Sequence, residues 1–288
     1  MVSPSARRRA VEHVQQKLAI SQRRACDALG QARATQRYRQ RRGQRDDQLR
    51  QWLRRFATEH PRWGYRRAHV GLRAEGWAVN RKCVERLWRE EGLRVPARRQ
   101  KRSRGARSDR ERQVAEHRNH VWSYDFVSDR TSDGRQLRLL TVIDEYTRES
   151  LAIEVRRSMT ARDVITVLQR IVDQRGAPRY VRSDNGPEFV ARALKDWLTA
   201  SGIATLYIDP GAPWQNGYIE SFNGKLRDEL LSIDAFDSVA EAAVLVEDYR
   251  QSYNNQRPHS ALKNLPPAVF ATQIAADQPI ISPIPSGI

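Results

Sequence analysis

Around residue 115 the spacing of apolar residues changes from helical to alternating, so the 288-residue chain must divide into a helical part and a part built on strands. Before the change, "DDQLRQWLRRFATEH" spaces Leu49, Trp52, Leu53 and Phe56 at helical intervals. "GYRRAHVGLRAEG" and "NRKCVERLWREEGL" follow, the second opened by Asn80 as N-cap and closed by Gly92. The compact turn "GWAV" between them predicts a helix-turn-helix, whose second helix can enter a major groove. Residues 11–40 read as two short helices about Gly30, with Val14, Leu18, Ala25 and Leu29 too thin an apolar set to form a core alone. After the change, "HVWSYDFV" sends Trp122, Tyr124 and Phe126 to one face of a strand and Ser123, Asp125 and Val127 to the other.

The remaining signals complete the plan. "SDGR" predicts a hairpin turn, and "LRLLTVID" and "SLAIEV" two more strands. "TARDVITVLQRIVDQRG" is an amphipathic helix between Thr160 and Gly176. "RYVRSD" is a strand ending at Asp184, "GPEFVARALKDWLTASG" a helix with Pro187 as its first residue, and "IATLYI" a last strand. The order β-β-β-α-β-α-β-α predicts an α/β fold with a ribonuclease H-like mixed sheet, preceded by all-α helix-turn-helix segments. The expected boundaries are an N-terminal helix-turn-helix segment at 1–45, a second helical domain at 46–93, a basic linker at 94–114, the catalytic core at 115–235, a helical extension at 236–271 and a flexible tail at 272–288.

Charge separates the same two parts. The chain carries 51 Lys and Arg against 34 Asp and Glu, but residues 1–112 hold 32 against 11 and the rest 19 against 23. A basic half joined to a slightly acidic one predicts polyanion binding by the first and different work by the second. Arg81, Lys82, Arg86 and Arg89 are the basic residues of the groove-facing helix and the candidate DNA contacts. No run of about 18 apolar residues predicts a membrane span, and the start "MVSPSARRRA" lacks the apolar stretch of a secretory signal. The reading is a cytoplasmic, nucleoid-associated protein. Cys26 and Cys83 stand alone, and His117 and His120 have no paired cysteines beside them, so neither a disulfide framework nor structural zinc is expected.

Three acids carry the chemistry. Asp125 lies on the first strand, Asp184 ends the fourth, and Glu220 lies on a helix after the fifth, with 35 residues between the last two. In "PWQNGYIESFNGKLRDELL", read as one helix, Ile219, Phe222, Leu226 and Leu230 share the buried face, while Asn216, Glu220 and Arg227 share a flank. Oxygen-only ligands suit Mg²⁺ or Mn²⁺, and two such ions about 4 Å apart serve phosphodiester displacement. Asp144, Glu145, Glu188, Asp228 and Glu229 are the rival carboxylates; Asp144 is expected to order its strand end with Arg148. His259 is expected to be structural.

"WSYDFV", "VIDEYTR", "RSDNGPEF" and "PWQNGYIESFNGKLRDELL" resemble the motifs of bacterial insertion-sequence transposases with a retroviral-integrase-like core. The resemblance extends to "GYRRAHVGLRAEGWAVNRKCVERLWREEGL" and "YNNQRPHSALKNLPPAVF" and covers about residues 20–271, closest to the second-frame product of insertion-sequence family three. It implies Asp125, Asp184 and Glu220 as catalytic and metal-binding residues, the ligands of two Mg²⁺ or Mn²⁺ ions, with Asn185 and Gly186 holding the loop and Arg227 and Asn216 meeting DNA. It further implies terminal inverted repeats and target DNA as partners, a homo-oligomer on DNA, and a first-frame protein as fusion partner. The alternative reading is a DNA-binding regulator of transposition, inactive without that partner.

Overall fold

The computed structural model describes residues 4–37, 43–95, 114–184, 191–208 and 213–277. The first helices are α1 (Pro4–Leu18), α2 (Gln22–Ala28) and α3 (Arg33–Arg37). Where two helices were expected there are three, because Ala19 takes a left-handed φ of 51° and Ser21 caps α2 by accepting from the Arg24 N–H. Val11, Ala25 and Cys26 form the small core here, while Leu18, expected inside, is 61% exposed.

The next unit is α4 (Gly43–Glu59), α5 (Tyr65–Ala74) and α6 (Arg81–Glu90), packed around Leu53, Phe56, Leu72, Leu87 and Trp88. Gly71 permits the close approach of α5 to α4, since a Cβ there would lie 3.1 Å from the Trp52 ring. Asn80 caps α6 as the sequence predicts, its side chain accepting from the Lys82 N–H at 2.9 Å. Carboxylates bind the helices together: Arg50 bridges Glu90 and Glu91, and Arg86 meets Asp46 at 2.7 Å.

Five strands form one sheet in the order β3-β2-β1-β4-β5. Strands β1 (Val121–Arg130), β2 (Gln136–Asp144) and β3 (Ser150–Arg156) are an antiparallel meander, and β4 (Tyr180–Ser183) and β5 (Ala204–Tyr207) run parallel to β1. Helices α7 (Ala161–Arg175) and α8 (Arg192–Ala200) cover the face that carries Trp122, Tyr124, Leu140 and Val181. On the opposite face, α9 (Gly217–Leu226) and α10 (Val239–Asn255) pack against Val127, Leu139 and Val155. Both faces are buried, and β1, at the centre, alternates between the two cores as its sequence requires. The last helix, α11 (Pro267–Asp277), runs past the boundary expected at residue 271.

Two helices differ from expectation. Residues 185–190, including Asn185, Gly186, Pro187 and Glu188, lie outside the described residues; α8 begins only after Ala191, whose extended ψ of 135° excludes one continuous helix from 186 to 202. The single helix read over 213–231 is three pieces: a 3₁₀ turn at Pro213–Asn216, α9, and a π turn at Arg227–Leu231. The basic linker lies almost wholly outside the described residues.

Candidate active site

Strand pairing brings the two aspartates together. β1 and β4 pair in parallel with Trp122 opposite Val181 and Ser123 opposite Arg182, and continuing that register sets Asp125 opposite Asp184. Adjacent strands lie about 4.8 Å apart, so the two carboxylates meet on the sheet face covered by α9. Burial pushes the Asp125 carboxyl up to about 6, and the negative charge of Asp184 adds to that rise against hydrogen bonds to the Phe126 N–H and Asn223. The Phe126 N–H donates to Asp125 Oδ1 at 2.7 Å, and Asn223 Nδ2 donates to Oδ2 at 2.9 Å. The Thr141 hydroxyl lies 2.9 Å from Asn223 Oδ1 and 3.1 Å from the Asp125 carbonyl oxygen, which fixes the Asn223 amide.

Thr141 and Asn223 were not among the sequence candidates. A signal for Asn223 existed: it lies three residues after Glu220, on the same flank of a helix that turns about 100° per residue. Thr141 had none, because its part depends on the cross-strand pairing with Asp125.

The third acid stands differently. Glu220 lies in the first turn of α9 and is exposed, its carboxyl raised by partial burial alone. Among the described residues no group of three or more His, Cys, Asp or Glu side chains stands ready to hold a metal ion. The two facing aspartates fit a divalent cation as a donor set: both are hard oxygen ligands, and a cation would relieve their mutual repulsion.

Arg227 is exposed at the junction of α9 and the π turn. Asn216, read on the same flank, lies in the 3₁₀ turn before α9 and is buried, with Oδ1 lacking a hydrogen-bond partner. Arg81, Lys82 and Arg89 are exposed on α6. Arg86 is half-buried and held by Asp46 and Glu90, so its charge is already answered within the protein.

The rival carboxylates among the described residues, Asp144, Glu145, Asp228 and Glu229, have structural partners. Asp144 accepts from the N–H groups of Asn119, Tyr146 and Thr147 and lies 3.9 Å from Arg175, so Arg175 takes the place expected for Arg148. Glu145 accepts from Arg182 and Ser123. Asp228 and Glu229, in the π turn, dock the helical unit on the core: Arg62 pairs with Asp228, and Arg67 with Glu229 at 3.0 Å. Arg257 holds Glu229 from the other side at 2.7 Å. Burial pushes Glu229 up, but the hydrogen bonds and charges of Arg257 and Arg67 outweigh it and keep this carboxyl low.

A mixed sheet with paired aspartates on its central strands, joined to a helix-turn-helix, defines an enzyme acting on nucleic acid. Residues 115–213 and 201–267 match models described as integrase core domain, and residues 44–101 match an HTH-like domain. The chain is 42% identical to the 31.7 kDa protein of insertion element IS407 from Burkholderia multivorans, over 92% of this chain and 96% of that one. It is 40% identical to the 39.2 kDa protein of insertion element IS476 from Xanthomonas euvesicatoria, over 96% and 80%. Among solved structures, the HTLV-2 integrase catalytic core in complex with magnesium aligns with a TM-score of 0.43 at 16% identity, covering 54% of this chain and 97% of that one. The chain belongs to the insertion-sequence transposases of family three, enzymes with an integrase-like core that cleave and join DNA strands. Among the described residues no helix is long and apolar enough to cross a membrane.

Proposed function

We propose that the enzyme acts on the terminal inverted repeats of its insertion sequence, and that Asp125, Asp184 and Glu220 are the acids that hold Mg²⁺ or Mn²⁺ as two ions. When bound, these ions supply charge stabilisation at the phosphodiester being displaced. The observation that carries the reading is the parallel register that sets Asp125 opposite Asp184, with Asn223 and Thr141 orienting the first. Glu220 enters from α9, whose Asn223 already touches Asp125, so a small approach of that helix turn would complete the set. Arg227, on the flank of Glu220, meets a phosphate of the element end. In the joining step a 3′-OH of the element loses its proton to solvent and attacks a target phosphorus in line; the new P–O bond replaces the one to the target 3′ oxygen, which leaves with a proton from solvent. The exposed face of α6, with Arg81, Lys82 and Arg89, reads the repeat. Two ends must be paired, so the working form is an oligomer on DNA.

The test is joining of a labelled 3′ end of the element to plasmid DNA in Mg²⁺. Asp125→Asn, Asp184→Asn and Glu220→Gln should each reduce joining by more than about a hundredfold, above the ten- to hundredfold typical of losing a group behind a metal ligand. Asn223→Ala should fall within that lower range. Joining retained in all three acid variants would remove the assignment. DNA binding without joining by the wild type, with or without the first-frame protein, would favour the regulator.

A further inference from the structure

On the side of α9 away from the paired aspartates lies a cavity of about 610 Å³, walled by α5, the core and the segment after α10. Its lining holds Arg66, Arg67, Arg148, Lys225, Arg257 and His259, and no carboxylate. Glu229 answers Arg67 and Arg257, which leaves four positive charges in excess. Arg148 Nη1 and His259 Nδ1 are buried without hydrogen-bond partners. Arg148 also holds a left-handed φ of 63° while its guanidinium stacks 3.5 Å from the Tyr218 ring centroid. Such a conformation is costly for a non-glycine residue, and here it aims a cation at the cavity.

The titration of the lining shows the same unbalanced charge. Burial lowers Lys225 to about 8 and His259 to about 4, and in both the positive charges of Arg257, Arg148 and Arg67 lower it further. An anion is the missing component. With α9 turning about 100° per residue, Gly217, Ser221 and Lys225 face the cavity, and Asn223, which donates to Asp125, lies on the opposite flank. A helix is about 10 Å across, so a phosphate held in the cavity is not the one being cleaved.

We propose that this cavity binds backbone phosphates of DNA at a second contact, away from the reacting phosphodiester and shared by the helix-turn-helix, the core and the C-terminal segment. It rests on the reading of the protein as a transposase and adds a DNA-anchoring site to it. Backbone phosphate fits better than a small anion because the charge excess exceeds that of one free phosphate. Arg66 and Arg67 also lie on α5, the first helix of the helix-turn-helix, which in that motif crosses the DNA backbone. One strand bound here would lock the reading helix to the catalytic core.

The full chain is titrated by fluorescence anisotropy with a terminal-repeat duplex and an unrelated duplex of equal length, across a range of salt. Lys225→Met and Arg148→Gln should each weaken both duplexes about tenfold and make the slope of log K against log salt shallower by about 1, while Lys225→Arg restores it. Unchanged slopes in both variants, with the wild type binding normally, would overturn the proposal alone. Wild-type protein that binds neither duplex would overturn the transposase reading with it. Inorganic phosphate that raises the wild-type melting temperature, with the DNA slopes unchanged in the variants, would assign the cavity to a small anion and overturn the DNA contact.

Discussion

The helical unit and the catalytic core treat their carboxylates in opposite ways. In α4–α6, Asp46, Glu90 and Glu91 are each met by an arginine from the same or a neighbouring helix, and the acids serve to hold the unit together. In the core, Asp125 faces a second aspartate and is oriented by an amide and a backbone N–H, with no salt bridge among the described residues. A carboxylate answered by arginine stabilises the fold; one set against its own kind raises its pKa and is useful to a cation. On the assignment proposed above, the difference separates structural acids from candidate catalytic ones more sharply than sequence spacing does, and Asp228 and Glu229 show why. They stand close to Glu220 in sequence, yet both are committed to arginines of the helical unit and the C-terminal segment.

The largest effect expected from this contrast is at Glu229. Glu229→Gln leaves Arg67 and Arg257 buried without their counter-charge, and breaking such a pair costs about 3–5 kcal/mol. Denaturant unfolding should show that loss, and hydrogen exchange should show α5 opening against the core. A loss below about 1 kcal/mol would mean that the docking contact is carried elsewhere.

Asp125→Asn should do the reverse in metal-free protein. The folded-state pKa of Asp125 is raised from 3.8 to about 6, so its contribution to stability is complete below about pH 4 and is lost as pH rises through 6. Replacing it by Asn removes the cost of burying the charge and, secondarily, the repulsion from Asp184, and should raise stability at pH 7.5 by about 2 kcal/mol in chelator, after allowance for partial solvent access. Thermal melts from pH 4 to 7.5 would check the sign: the wild type should lose stability relative to the variant over that window. Added Mg²⁺ should narrow the gap by stabilising the wild type alone. A variant less stable than wild type at pH 7.5 would mean that Asp125 is structural.

How much of this was legible in the sequence follows from what each feature depends on. The alternation of Trp122, Ser123, Tyr124 and Asp125 is local, so it was readable, as were the Asn80 and Thr160 caps. The pairing of Asp125 with Asp184 needed the parallel register of β1 and β4, which the motif resemblance supplied in place of geometry. The partition of residues 213–231 into 3₁₀, α and π turns was not readable, because helical periodicity assumes one pitch throughout; the burial of Asn216 in the 3₁₀ turn and the pairing of Asp228 and Glu229 with arginines from the π turn lie beyond such a reading. The basic cavity was equally hidden: Arg67, Arg148, Lys225 and Arg257 are far apart in sequence and meet only when the helical unit sits on the core.

The smallest effect concerns the arginines of α6 and tests whether exposure or sequence position decides their part. Arg81 and Lys82 are exposed near the N-terminus of the helix, whereas Arg86 is tied to Asp46 and Glu90. Arg81→Ala or Lys82→Ala should leave stability within about 0.5 kcal/mol of wild type. Each should make the salt slope of DNA binding shallower by about 1 if it meets a phosphate, or relax preference for the terminal repeat if it meets a base. Arg86→Ala should instead cost about 1 kcal/mol of stability, the scale of a partly exposed ion pair, with little change in the slope. If Arg86→Ala alters DNA binding as much as Arg81→Ala while its melting temperature is unchanged, the ion pair opens on DNA, and the arginines of the helical unit are as available to an outside anion as the acids of the core are to an outside cation.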